Sequence, residues 1–92
     1  MQQSQILWVA RSYSLPQSGV KKHSHPYYHM FFIHSGEGIF VLDEQEQILK
    51  TGDCLLVPPE AIHGYRNEAD APLEYLEVKF TLHPSPLDAQ LR

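Results

Sequence analysis

The sequence predicts a small all-β protein, built as a β-barrel or a double-sheet jelly roll. No segment keeps a 3.6-residue apolar period over several helical turns. Short runs rich in β-branched and aromatic residues recur instead at nearly regular spacing. Glycine, proline and aspartate separate these runs, a pattern that is typical of small barrels and sandwiches.

Seven runs are predicted to form strands, and a turn signal ends most of them. They are residues 6–13, 27–34, 39–43, 48–50, 54–57, 62–66 and 73–82. The run 27–34 is the strongest, and the Ser35-Gly36-Glu37-Gly38 turn makes 39–43 its hairpin partner. In the last run Leu73, Tyr75 and Glu77 share one face, because strand side chains alternate.

Composition and length indicate one globular domain of ordinary character. The 92 residues are 42% hydrophobic and 20% charged, which argues against disorder. We expect a single domain over residues 1–82, and a linker-like tail over 83–92, where two prolines follow one another closely. Of the large apolar side chains, Trp8, Tyr13 and Phe80 are expected to fill the core, with a subunit interface as the alternative.

Charge and cysteine content narrow the classes of function. The net charge is −4 and the seven basic residues are scattered, so we expect no nucleic acid bound by this segment itself. The single cysteine, Cys54, fits a reducing compartment. We find no secretory signal pattern and no apolar stretch near the ~20 residues of a membrane helix. We therefore expect a cytoplasmic protein that does not interact with membranes.

Four histidines are spaced like metal ligands. His23, His25 and His29 lie two and four residues apart, so they share one face if residues 23–33 form a single extended strand. His63 lies far downstream and is expected to join them from a neighbouring strand. His34 has the opposite parity and should point away. The pattern predicts a transition-metal site.

Two segments resemble the two sequence motifs of the cupin superfamily. The first, preceded by Gly19, reads His23-x-His25, three residues, His29, six residues, Gly36. The second reads Gly52, five residues, Pro58-Pro59-Glu60, two residues, His63, three residues, Asn67. His29 stands where the family pattern has glutamate. Glu60 stands where it has glycine, so we expect a differently shaped loop before His63.

The resemblance implies a small cupin barrel, that is, a double-stranded β-helix or jelly roll, and a metal in it. By position, the implied ligands are His23, His25, His29 and His63. An all-imidazole set suits a divalent transition metal (zinc, nickel, copper, iron or manganese) better than magnesium or calcium. The alternative is that the histidines are family remnants that bind no metal.

A ligand pocket is expected beside these histidines. Tyr27, Phe31 and Ile33 have the parity of His29, and Tyr65 has that of His63, so we expect Tyr27, Phe31 and Tyr65 to contact a small molecule. Plain core packing, or a surface position for Tyr65, is the alternative. Glu77 is expected to be a solvated charge rather than an acceptor that orients a histidine.

Within the superfamily, the segments 23–38 and 52–65 most resemble the N-terminal sensor domain of AraC-type transcription regulators. That resemblance implies a domain that binds a small-molecule effector and forms a homodimer, while a separate helix-turn-helix module binds DNA. No such module follows residue 83, so we expect either the sensor part of a longer protein or a free-standing small cupin. Two alternatives stay open: a stand-alone metal-dependent dioxygenase or isomerase, and a metal-free ligand-binding cupin. We assign no catalytic residue.

Overall fold

The computed structural model describes residues 4–82 as two four-stranded antiparallel sheets that face each other. The strands are β1 (Gln5–Ser14), β2 (Ser18–His23), β3 (Tyr28–Ser35), β4 (Glu37–Leu42), β5 (Gln45–Lys50), β6 (Cys54–Val57), β7 (His63–Asn67) and β8 (Leu73–Thr81). The order is β1-β8-β3-β6 in the first sheet and β2-β7-β4-β5 in the second. The predicted all-β double-sheet barrel is confirmed.

Each of the predicted strands is present, with ends that move by at most three residues, and one strand was missed. The missed strand is β2, whose sequence SGVKKH has little apolar character and whose residues are mostly exposed. It forms because it pairs with β7, and no local sequence pattern predicts that pairing. Gly19 allows this pairing, since a Cβ there would collide with the carbonyl oxygen of Tyr65.

The expectation that residues 23–33 form one strand is wrong. His23 is the last residue of β2 in the second sheet, whereas His29 lies in β3 of the first sheet. Residues 24–27 carry the chain from one sheet to the other. These histidines therefore approach each other because the two sheets face one another, and not because they alternate along a single strand.

Apolar side chains from both inner faces fill the barrel below the histidines. The buried cluster consists of Phe31, Ile33, Phe40, Leu49, Val57, Leu73 and Tyr75. Phe31 and Ile33 are buried on the same strand as His29, as their parity predicts, while His34 is exposed. Burying such a cluster is the main favourable contribution to folding.

Asn67, the last residue of the second motif, closes the far end of the barrel. It is 0% exposed, and its side-chain amide donates to the carbonyl oxygens of Ser14 and Ala71 at 3.0 and 2.9 Å. Its side-chain oxygen accepts from the backbone N–H of Ala69 at 3.0 Å. A buried polar side chain with all these partners holds three chain segments together.

The outer face of the first sheet is unexpectedly apolar. Tyr13, which lies on this face opposite Glu74, is 68% exposed, and Trp8, which lies on the inner face opposite Lys79, is 53% exposed. The expectation that these two side chains fill the core is therefore wrong. They lie on β1, an edge strand that no further strand covers among the described residues. Phe80 is half-buried and stacks on Tyr28, with ring centroids 5.2 Å apart.

The predicted tail, residues 83–92, lies outside the described part of the chain. Within residues 4–82, no helix has the length and apolar character needed to cross a membrane.

Candidate metal centre

Three histidines meet where the two sheets come together at one end of the barrel. His23 and His63 are directly paired across β2 and β7, and their ring centroids lie 4.4 Å apart. His25 follows in the loop after β2, and its ring lies 4.5 Å from His23 and 5.0 Å from His63. One nitrogen from each of the three rings lies within 4.8 Å of the others. Three imidazole donors at this separation fit one metal ion.

Backbone hydrogen bonds fix the orientation of two of these rings. Nδ1 of His63 lies 2.9 Å from the carbonyl oxygen of Ala61, and Nδ1 of His23 lies 2.8 Å from that of Lys21. A carbonyl only accepts, so each Nδ1 carries the proton and donates it. Each Nε2 is then left with a free lone pair. This tautomer is the one that ligates a metal through Nε2.

Unpaired nitrogens point to a missing partner at this place. Nε2 of His25 and Nε2 of His63 are buried and have no hydrogen-bond partner among the described residues. Buried polar atoms without partners are rare in proteins and call for a bound water, ion or ligand. A divalent transition metal fits this donor set, which holds neutral nitrogen ligands and no carboxylate.

The surroundings of His25 and His63 favour the neutral form of both imidazole rings. The pKa values of His25 and His63 are lowered from the ordinary value, first by burial and then by neighbouring positive charge, including that of Lys79. For His63 the bond to Ala61 opposes the shift without reversing it. Both rings are therefore neutral at neutral pH, which is the form that coordinates a metal.

The loop before His63 is tied to His25. The backbone N–H of Glu60 donates to the carbonyl oxygen of His25 at 2.7 Å. Glu60 itself has φ of 68°, the left-handed conformation that favours glycine. Glu60 thus adopts the backbone form expected of the family's glycine. The differently shaped loop before His63 stays a prediction.

His29 lies beside the triad but outside the group of mutually close donors. Its ring centroid is 5.7 Å from those of His25 and His63, and it packs against Phe31 at 4.1 Å. It is 5% exposed, and neither ring nitrogen has a partner among residues 4–82. Burial and the charge of Lys79 lower its pKa to about 3. Of the four predicted ligands, the structure brings three together and leaves the fourth adjacent.

The three predicted ligand contacts fall into two groups. Tyr27 lies in the loop before β3, and its ring stacks on His25 with centroids 4.8 Å apart and planes at 6°. Phe31 and Tyr65 instead belong to the packing below the histidines. The hydroxyl of Tyr65 is hydrogen-bonded to that of Tyr75 at 2.5 Å, so a surface position for Tyr65 is wrong.

One charged pair on the inner face was not predicted as part of the site. Lys79 lies directly opposite His29 on β3 and Trp8 on β1, so the three side chains share the inner face. Glu77 lies one inner-face position away with its side chain only 14% exposed, so its predicted solvated state is wrong. The sequence contained a signal for Lys79: Leu73, Tyr75 and Glu77 alternate on one face of the strand, and the next residue of that face is Lys79.

Comparisons with known proteins agree with this architecture. A gentisate 1,2-dioxygenase of a Streptomyces species is 32% identical over 84 residues, which is 90% of this chain and 24% of that enzyme. The chain thus spans about a quarter of the length of this curated relative.

Solved structures extend the likeness to the three-dimensional level. A protein described as a predicted oxalate decarboxylase from Thermotoga maritima superposes with a TM-score of 0.80 at 28% identity, covering 84% of this chain and 68% of its own. Salicylate 1,2-dioxygenase from Pseudaminobacter salicylatoxidans gives 0.76 at 26% identity, covering 78% and 21%. Residues 13–79 match the family described as Cupin domain. This chain belongs to the cupin family.

Proposed function

We propose that this chain is a metal-dependent cupin that acts on a small organic molecule by dioxygenation, with its metal held by His23, His25 and His63. The observation that carries the proposal is the convergence of three imidazole nitrogens within 4.8 Å, two of them buried and without partners. The relationship to proteins named as dioxygenases supports this class of reaction.

A bound metal supplies a Lewis-acidic centre at which dioxygen and an oxygen-bearing substrate are brought together. With three or four imidazole ligands, a five- or six-coordinate metal would keep room for such molecules. His23 and His63 are held in the ligating tautomer by their Nδ1 hydrogen bonds, and His25 is anchored through Glu60. Both atoms of dioxygen enter the product in such a reaction and the substrate supplies the electrons, so no further reductant is needed.

His29 remains our proposed fourth ligand. Its two nitrogens are buried and lack partners, and its ring lies 5.7 Å from two of the triad rings. X-ray absorption spectroscopy of the metal-loaded protein counts imidazole ligands directly. Four imidazoles in the wild type and three in His29→Leu support this role, and three in both contradict it.

We expect iron(II)-loaded protein to consume dioxygen with at least one member of a panel of aromatic hydroxy acids that includes gentisate and salicylate. Mass spectrometry after reaction under ¹⁸O₂ should show two labelled atoms in the product. His63→Ala should lower the rate at least about 100-fold, because it removes a ligand, whereas His34→Ala, at an exposed position, should not. Metal-loaded protein that consumes no oxygen with any panel member contradicts the enzymatic proposal.

The second candidate function is the sensor domain of an AraC-type regulator. The motif segments 23–38 and 52–65 favour it, and it requires metal or effector binding without turnover. A small molecule that binds the barrel, undergoes no reaction and alters the DNA affinity of a fused helix-turn-helix module would support this candidate over the enzyme.

We also propose that two copies of this chain form a homodimer through the outer face of the first sheet. The row Val9, Val78, Met30 and Leu56 crosses all four strands of that sheet. Val9 and Leu56 are 56% and 45% exposed, and contiguous exposed apolar surface is typical of protein–protein interfaces. Arg11 lies in the adjacent row and Glu74 one row beyond it, so a twofold arrangement can pair one copy's Arg11 with the other's Glu74.

Val9→Lys is expected to convert this dimer to a monomer, because it places a charge in the middle of the apolar row. Sedimentation equilibrium at micromolar concentration measures the mass. Ile48→Lys is the matched control, since Ile48 is 60% exposed on β5 of the other sheet and should leave the dimer intact. A monomeric wild type, or equal dissociation in both variants, overturns the proposal.

A further inference from the structure

Lys79 is a charged residue of the inner face that neither core packing nor the candidate metal site uses. Its cross-strand neighbours are Trp8 and His29, so it lies in the same layer of the barrel as the histidines. Its side chain is 25% exposed, which leaves the ammonium within reach of a small molecule from solvent. A half-buried ammonium beside a metal site is costly unless it has an anionic partner.

Glu77 is only a weak anionic partner for the Lys79 ammonium. Glu77 Oε1 lies 4.0 Å from Lys79 Nζ, at the outer limit of an ion pair and too far for a hydrogen bond. Lys79 and Glu77 cancel each other's charge, so a divalent metal bound by neutral imidazoles would leave two positive charges uncompensated in this part of the barrel. A carboxylate ligand would offset part of that charge.

Two aromatic rings flank the ammonium. Lys79 Nζ lies 5.6 Å from the ring centroid of Trp8 and 6.0 Å from that of Tyr27. The ring of Tyr27 in turn stacks on His25, which connects the ammonium to the metal centre through direct contacts. Flat aromatic faces beside a cation favour a ligand that is planar as well as anionic.

We propose that Lys79 binds the carboxylate of a planar organic acid whose flat part contacts Trp8 and Tyr27 while another oxygen faces the histidine centre. This inference rests on the proposed metal-dependent function and specifies its substrate class. Lys79 is thereby the residue that selects a carboxylate over a neutral analogue, because the charge-assisted bond is lost when the ligand carries no charge.

Titration calorimetry of the zinc-loaded protein with salicylate tests this assignment, with salicylamide as the neutral probe. Lys79→Met should weaken salicylate binding about 10- to 100-fold, the loss expected for one charge-assisted hydrogen bond, and leave salicylamide binding unchanged. Lys79→Arg should restore most of the affinity. Lys50→Met is the matched control, because Lys50 is exposed and lies at the end of β5 that pairs with Glu37.

Trp8 offers a second readout, since it is the only tryptophan of the chain. Salicylate should shift its single indole N–H signal in the ¹H–¹⁵N spectrum of the wild type, and shift it far less in Lys79→Met. If Lys79→Met fails to fold because Glu77 is left uncompensated, the double variant Lys79→Met/Glu77→Gln carries the same comparison.

The same titration on metal-free protein separates this inference from the proposed function. Binding that depends on Lys79 in the absence of metal supports the carboxylate site even if the metal proposal fails. If the protein binds one equivalent of zinc but Lys79→Met does not change its affinity for salicylate, the carboxylate site is contradicted and the metal centre is not. Absence of salicylate binding to the wild type at millimolar concentration also overturns it.

Discussion

His25→Ala is expected to abolish tight metal binding. It removes one of three imidazole donors that lie within 4.8 Å of one another, and a full set of protein ligands is worth about 10–16 kcal/mol for structural zinc. The loss of one ligand should therefore cost roughly 3 kcal/mol or more, which is a fall in affinity of at least ~100-fold. The untagged wild type, purified without added metal, should carry close to one equivalent of a transition metal.

Elemental analysis and competition with a fluorescent chelator measure this loss. His34→Ala is the matched control, because His34 is exposed on β3 and its removal changes only a histidine outside the site. Retained stoichiometry and affinity in His25→Ala would exclude the site. A wild type that takes up no metal even after incubation would leave the histidines as family remnants, and the barrel as a metal-free ligand-binding domain.

The metal-free protein should lose stability steadily as the pH falls from about 6.5 toward 3, in large part through His29. Burial lowers the pKa of this histidine from 6.5 to about 3. Between these values the unfolded chain binds a proton on His29 that the folded chain does not, so the free energy of unfolding falls with falling pH. The slope is at most ~1.4 kcal/mol per pH unit, or up to about 3 kcal/mol between pH 6.5 and 4.5.

Urea denaturation in the presence of a chelator, at pH 7.0 and 4.5, measures this dependence. His29→Leu should be destabilised much less by the same change in pH, because leucine does not titrate. Some dependence should remain, since the pKa values of His25 and His63 are lowered in the same direction. His34→Leu should behave like the wild type, and an unaltered pH dependence in His29→Leu would contradict the assignment.

Most of the strands could be predicted because the alternation of apolar and polar residues is a property of short stretches of sequence. The alternation of side-chain polarity in β8 and the run of aromatic residues in β3 both predict extended structure. The strand β2 carries no such signal, as its residues are mostly polar and exposed, and it exists because β7 supplies its hydrogen bonds. Strand prediction from sequence depends on apolar and β-branched residues, so a strand of mainly polar residues such as β2 escapes it, whereas the equally exposed but apolar β1 does not. The same dependence on apolar character explains why Trp8 and Tyr13 were assigned to the core.

The sequence allowed the candidate metal ligands to be named, but it did not predict how they are arranged in space. Histidine is a common metal ligand, and the spacing of His23, His25 and His63 matches that of the ligands in the cupin motifs. Which of the four histidines converge depends on where the chain crosses from one sheet to the other, at residues 24–27. That crossing places His29 in the opposite sheet from His23 and next to the triad rather than in it.

By itself, the sequence determined the all-β class and most of the strands, because these depend on residue type and local spacing. It also named four histidines as candidate metal ligands. Only the tertiary structure decided that β2 forms and that three histidines meet. Only the tertiary structure placed Lys79 beside His29 and Trp8. These outcomes depend on strand register and on the facing of two sheets, contacts between residues that are distant in the chain and leave no local trace in it.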